Sequence, residues 1–252
     1  FGGRAYSRSL VDYRHPAILD QAAQLTAGLT TDREKALAIH QFVRDEIVYE
    51  FGPKFYDHTA SEVLRLRKGF CNPKTTLFVA LLRASRIEAR IRFVEISPEI
   101  LHGIVDPGTP WMDHSYAEVF LGESWVPVDS YIVDPELFAA GLRRCRAEGR
   151  RFGYGVHVEG TLDWDGETPS FSQCLPRPVE PSLRRNDYGV FPDVVQFYEM
   201  TPEAWNRIRG KGMRTFFRLA AVTFNDRIRD LRAEETGGLP RSRIPGKRMI
   251  TR

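Results

Sequence analysis

The stretch Lys68-Gly69-Phe70-Cys71-Asn72-Pro73, running on into Lys74-Thr75-Thr76-Leu77-Phe78-Val79-Ala80-Leu81-Leu82-Arg83-Ala84, decides how the rest of the chain is read. Proline lacks an N–H and is tolerated in a helix only within its first turn, so Pro73 places a helix start at about Cys71. Leu77, Val79, Ala80, Leu81 and Leu82 make that helix apolar over most of its circumference, the pattern of a helix buried at the centre of a domain. Cys71 therefore stands at the N-terminus of a buried helix. There, partial positive charge and free N–H groups lower a thiol's pKa and can donate to an oxyanion.

Upstream, Thr31 with Glu34 and Thr59 with Glu62 have the capping-box form, in which each side chain satisfies a free backbone donor at a helix start. They predict helices over 31–48, with Ala36, Ile39, Val43 and Ile47 as its apolar stripe, and over 59–67, ended by Gly69; a shorter helix is expected over 16–28. Downstream the pattern turns to strands at 89–96, 114–121 and 125–131, the last two forming a hairpin around Gly122-Glu123-Ser124. Helices are expected at 134–148, 202–209 and 213–233, the last with Phe216, Leu219, Ala220 and Phe224 on one face. Residues 153–192, rich in Gly, Pro and aromatics, give weak signals. Helices followed by antiparallel strands indicate the α+β class. No composition break marks a sharp boundary; the chain divides into a core over 1–133, a mixed helical extension packed on it over 134–238, and a basic tail over 239–252.

Of 252 residues, 36 are basic and 33 acidic, a net charge of +3. Arg241, Arg243, Lys247, Arg248 and Arg252 place the excess in the tail and leave the body slightly acidic, which argues against a nucleic-acid-binding face. No apolar run reaches the roughly 18 residues of a membrane span, and no basic-then-apolar leader pattern opens the chain. Three cysteines, at 71, 145 and 174, do not make a disulfide framework and point to a reducing, cytoplasmic setting. No Cys or His pair has metal-ligand spacing, and no glycine-rich phosphate loop occurs, so neither a metal nor an organic cofactor is expected. Asp163-Trp164-Asp165-Gly166 has half of a calcium loop and reads as a turn.

A nucleophilic thiol needs a base, and the base needs an orienting group. With the hairpin turn centred on Gly122-Glu123, Tyr116 faces Asp129 and His114 faces Tyr131. His114 and Asp129 then share a sheet face as diagonal neighbours about 7–8 Å apart, and a slip of one residue would send them to opposite faces. The same register gathers Ala117, Val119, Val126 and Val128 on the opposite, core-facing side. His15, His40, His58, His102 and His157 have no such partner, although His102 and His157 could replace His114 in another register. Cys145 and Cys174 read as small buried hydrophobes.

Ala60-Ser61-Glu62-Val63-Leu64, Lys68-Gly69-Phe70-Cys71 with its helix, the stretch 84–90, His114-Ser115-Tyr116-Ala117-Glu118-Val119 and Trp125-Val126-Pro127-Val128-Asp129 together resemble the transglutaminase-like superfamily. The resemblance covers roughly residues 31–131. It implies a papain-like core in which the nucleophile helix packs on an antiparallel sheet. It also implies that Cys71 is the nucleophile, His114 the base and then acid, and Asp129 the residue that orients the imidazole. Calcium-dependent eukaryotic members carry Gln-Cys-Trp where this chain has Phe70-Cys71-Asn72, and the overall look is nearer the small bacterial members.

Tyr56, as a second oxyanion donor from the loop before Thr59, and Asn72, Tyr116, Trp125 and Tyr131 complete the list of cleft candidates. The expected activity is cysteine-dependent attack on an amide or thioester carbonyl through an acyl-thioester, with peptidase or amidase hydrolysis first. Transfer to an amine, for instance from a carrier-held thioester, comes second, and a binding module that keeps the fold without catalysis is the rival from another class. The expected partner is a peptide, amide or acyl-thioester, with no nucleic acid and no membrane span.

Overall fold

The computed structural model describes residues 9–176, 178–200 and 211–235. Both capping boxes form: Thr31 opens α2 (Asp32–Glu46) and Thr59 opens α3 (Ala60–Leu66), each with the reciprocal Glu contact, while α1 (Pro16–Thr26) precedes them. Two short parallel strands, β1 (Val48–Tyr49) and β2 (Lys68–Gly69), lead to α4 (Cys71–Ala84). In α4 every residue from Asn72 to Leu82 is buried, and the helix touches α1, α2 and α3 as well as the sheet. That environment accounts for a helix that is apolar nearly all round.

Gly69 does not end α3. Arg67 does so in the left-handed region, at φ 53°, with its N–H on the Val63 carbonyl. Gly69 instead lies in β2, where an added Cβ would stand 3.1 Å from both Lys74 Cγ and Pro73 Cβ. A side chain at 69 would thus press on the first turn of the nucleophile helix.

The main sheet is antiparallel, in the order β5 (Ser124–Val128), β4 (Met112–Leu121), β3 (Ala89–Ile96), β8 (Arg184–Phe191). The hairpin pairs Ala117 with Val128 and Val119 with Val126, the expected register. These four side chains are buried in the main core. β5 stops at Val128 rather than at 131, because Asp129 turns out of the sheet with its N–H on the Ser170 carbonyl and its carbonyl accepting from Ile132. On the other face of the sheet Val94, Ile96 and Tyr116 pack under Phe171, Cys174, Leu175 and Leu183. The sheet is thus covered on both sides.

The weak region holds a small hairpin, β6 (Phe152–Gly153) with β7 (Val156–His157), and the edge strand β8. The edge strand escapes a hydrophobic reading because Arg185, Asn186, Asp187 and Tyr188 are all exposed and its pairing with β3 is irregular. α5 (Pro135–Ala147), capped by Asp134, precedes this region; α6 (Val194–Glu199) and α7 (Lys211–Glu235) follow it. The buried side of α7 is made by Ala221, Ile228 and Leu231, with Phe217 and Phe224 packed against the core. Phe216 and Leu219 are exposed, so the inward face lies one position away from the expected one. The expected helix at 202–209 and the basic tail lie outside the described residues.

Candidate active site

Cys71 is the first residue of α4. Phe70, at the cap, offers no side-chain hydrogen bond, and Pro73 has no N–H. The Asn72 N–H bonds to the Cys71 sulfur, which leaves the Cys71 N–H as the first-turn donor for a ligand. The sulfur also donates to Asn72 Oδ1 at 3.4 Å and accepts from the Ser115 N–H. Burial and the nearby Asp113 carboxylate nevertheless push the thiol up to about 12. The lowering expected from the helix end is outweighed: desolvation penalises a lone thiolate more than the helix terminus favours it.

His114 lies at the start of β4, 2% exposed, beside the hydrogen-bonded Ser115. Its Nε2 sits 3.5 Å from Asp129 Oδ2, an ion-pair distance, and has no hydrogen-bond partner among the described residues. Asp129 is fully buried and is gripped by a loop 43 to 45 residues further on. Its Oδ1 accepts from the Ser172 N–H, from Ser172 Oγ at 3.2 Å and from the Gln173 N–H at 3.2 Å, while Oδ2 accepts from the Cys174 N–H at 2.7 Å. This donor set satisfies a buried carboxylate through main-chain N–H groups and one hydroxyl, with no lysine or arginine paired to it among the described residues. With Nε2 turned to Asp129, Nδ1 of His114 is the nitrogen left to exchange a proton.

Cys71 and His114 line one cavity of about 480 Å³. Its walls are strongly aromatic: Phe51, Phe55 and Phe70 from the core, Trp111 from the rim, and Phe217 and Phe224 from α7. Phe55 stacks on Phe217 at 4.3 Å and on Phe51 at 5.1 Å. α7 is fastened over this wall through the backbone of residues 49–51. Asn225 accepts from the Phe51 N–H at 2.8 Å and donates to its carbonyl at 3.0 Å. Arg229 binds Glu50, and Arg232 binds the Tyr49 carbonyl and Asp134.

The remaining candidates divide. Tyr56 lines the cavity, half-buried near Asp113, Cys71 and Tyr49, and desolvation holds its phenol far above the usual range, so it stays a hydrogen-bond donor. Asn72 lies beside Cys71 but beneath the cavity floor. Its Oδ1 accepts from Ser115 Oγ at 2.7 Å, and its Nδ2 donates to Asp113 at 3.0 Å and to the Tyr198 hydroxyl. Tyr116, Trp125 and Tyr131 do not reach the cavity. Tyr131 is core, stacked on Phe78 at 4.2 Å with its hydroxyl on Thr75 and on the Ala117 N–H. Tyr116 packs edge-on against Phe171, and Trp125 stands opposite Phe120 near the hairpin turn, under Arg90. His102 stands by Glu148, and His157 is buried by Glu180, so neither competes with His114.

Sequence reasoning passed over Asp113, Gln173 and the 172–174 loop. For Asp113 a signal existed, an acidic residue directly before the histidine; backbone N–H donors leave none, since nearly every residue type carries one. Among the described residues no group of three or more His, Cys, Asp or Glu side chains could hold a metal ion, and no helix is long and apolar enough to cross a membrane.

Residues 20–130 match the profile of the transglutaminase-like superfamily, a stretch that contains Cys71, His114 and Asp129. The family resemblance seen in the sequence holds over that span. Among solved structures, a protein from Cytophaga hutchinsonii described as a candidate cysteine protease shares 21% identity at a TM-score of 0.41, over 52% of this chain and 41% of its own. A candidate protease from Parabacteroides distasonis shares 14% at 0.37, over 47% of this chain and 24% of its own. The aligned region is less than half the length of either. No curated protein matches.

Proposed function

We propose that the chain is a cysteine-dependent acyl-transfer enzyme acting on an amide or thioester carbonyl, with hydrolysis of a peptide or amide as its main reaction. One observation carries this reading: Cys71 and His114 open on a single cavity, and His114 is backed by a carboxylate that three backbone N–H groups hold in place. Burial resists a lone thiolate at Cys71, so the nucleophile forms as its proton passes to His114 Nδ1, and the resulting imidazolium is stabilised by Asp129. The sulfur attacks the carbonyl carbon. The oxyanion is met by the Cys71 N–H and the Tyr56 hydroxyl. As the tetrahedral species collapses, His114 gives its proton to the departing amine or thiol and leaves an acyl-thioester. Water, deprotonated by His114, then releases the acid and restores the thiol.

The aromatic walls favour a second reading, transfer of the acyl group to an amine. Added hydroxylamine distinguishes the two: a hydroxamate formed far faster than the acid marks amine transfer. A cytoplasmic setting fits the three free thiols.

The test is the pH-rate profile of Cys71 alkylation by iodoacetamide in wild type and His114→Ala, followed by peptide mass spectrometry. Cys71 is expected to react faster than Cys145 and Cys174 near neutral pH, and to lose that advantage in the variant. Equal reactivity of all three thiols, or no effect of His114→Ala, would leave a non-catalytic binding module as the better reading.

A further inference from the structure

The catalytic cavity contains a charge that the triad does not use. Asp113 lines it, half-buried, one residue before His114. Its Oδ2 accepts from Asn72 Nδ2 at 3.0 Å and from the Tyr198 hydroxyl at 3.0 Å, which fix where the carboxylate points. Among the described residues no lysine or arginine pairs with it, and none lines the cavity. The second carboxylate on the wall, Asp106, is exposed at the rim.

A carboxylate in a largely apolar cavity is costly unless a cation meets it. This one also works against the nucleophile, since its charge helps to hold the Cys71 thiol protonated. Both penalties are removed by a ligand that brings a positive charge to Asp113. An anionic acyl group would add to them. Asn72 bonds to both the Cys71 sulfur, at 3.4 Å, and Asp113, at 3.0 Å, and the two share the cavity wall, so a cation seated on Asp113 stands near the scissile carbonyl. The aromatic wall of Phe55, Phe217 and Phe224 accepts a large uncharged group on the same substrate.

Resting on the acyl-transfer reading above, we propose that the substrate is an acyl donor with a free ammonium beside its scissile carbonyl and a large apolar side chain. An unblocked N-terminal aromatic or branched residue of a peptide has this form, with its ammonium on Asp113 and its side chain against the aromatic wall. Arrival of the ammonium then neutralises the charge that held the thiol protonated, so the substrate itself helps to activate the nucleophile.

Chloromethyl ketones of phenylalanine test this, because the Cys71 sulfur displaces chloride and the adduct is read by mass spectrometry whatever the leaving group of the natural substrate. At about pH 6, below the usual α-amino pKa, the reagent with a free amine is expected to label wild-type Cys71 about ten-fold faster than its N-acetyl form, the size of one charge-assisted hydrogen bond. In Asp113→Asn that ratio falls to about one, and Asp113→Glu restores part of it. Each ratio is measured within one protein, so a general loss of reactivity does not alter it. A wild-type ratio near one, or preference for the acetylated reagent, overturns the proposal. Failure of both reagents while iodoacetamide still labels Cys71 in a His114-dependent way also overturns it and leaves the triad reading standing. Loss of His114 dependence removes both.

Discussion

Two carboxylates flank the same histidine and are treated in opposite ways. Asp129, fully buried, is met by three backbone N–H groups and a serine hydroxyl from 172–174. Asp113, next to His114 in sequence and open to the cavity, has only a tyrosine hydroxyl and an asparagine amide among the described residues. Distant segments of the chain satisfy the first completely, and the second is left for something that arrives. A third, Asp134, shows the remaining option: it caps α5, accepts from the Tyr49 N–H and pairs with Arg232 of α7. The contrast separates a carboxylate that builds the site from one that reads its ligand.

Asp129→Ala should have the largest effect. Removing the acceptor strands the N–H groups of Ser172, Gln173 and Cys174 in the interior, at about 1–3 kcal/mol each where no water enters. Acylation should fall by about 10³–10⁴-fold, since the imidazole loses its orienting group. Thermal melts and single-turnover labelling measure both; a variant within about 1 kcal/mol of wild type would show that Asp129 is not the hub.

Arg232→Ala comes next, expected at about 3 kcal/mol because it leaves Asp134 buried without its cation. The pair also fixes a pH response. The Arg232 guanidinium and the Tyr49 N–H outweigh burial and hold Asp134 below the usual carboxylate value. Its stabilisation is therefore complete above the unfolded-state pKa and is lost as pH falls through the lower folded value. The acid limb of the stability curve should flatten in Asp134→Asn; an unchanged limb would place acid sensitivity elsewhere.

Asp113→Asn should change stability by less than about 1 kcal/mol, as the amide still reaches the Tyr198 hydroxyl. Because Asp113 raises the Cys71 pKa, its removal should move the alkylation profile toward lower pH, and a shift in the opposite direction would break the comparison. Phe217→Ala should cost about 1–2 kcal/mol for a half-buried ring, more stability than Asp113→Asn, but it leaves the charges around Cys71 unchanged. Its diagnostic is a narrower preference for phenylalanyl over glycyl chloromethyl ketone at Cys71.

What the sequence disclosed follows the same division. Helix starts are local events, and Thr31, Thr59 and Pro73 marked them correctly. Hairpin parity is also local, so the 117–128 and 119–126 pairs could be read from alternation alone, while Asp129 reaches His114 from just beyond the strand end rather than as a neighbour on the sheet face. The clamp on Asp129 could not, because its donors are main-chain groups brought in from a loop without periodicity. The edge strand β8 was hidden by its exposed, charged residues. Tyr131 shows the converse: it stands two residues after Asp129, yet the chain leaves the sheet at 129 and its ring goes to the core. The inward face of α7 was misplaced by one position because phenylalanines stand at both 216 and 217, and only docking on Phe55 selects the second.

The Asp129 clamp also sets an order in time. All three triad residues have emerged by residue 129, but the donors that fix Asp129 come from 172–174, and the Phe217 and Phe224 wall comes later still. During N- to C-terminal synthesis the nascent chain thus carries a complete set of reactive groups well before it has a working arrangement of them. On the proposed reading, the order of synthesis alone delays the site until its last wall is made.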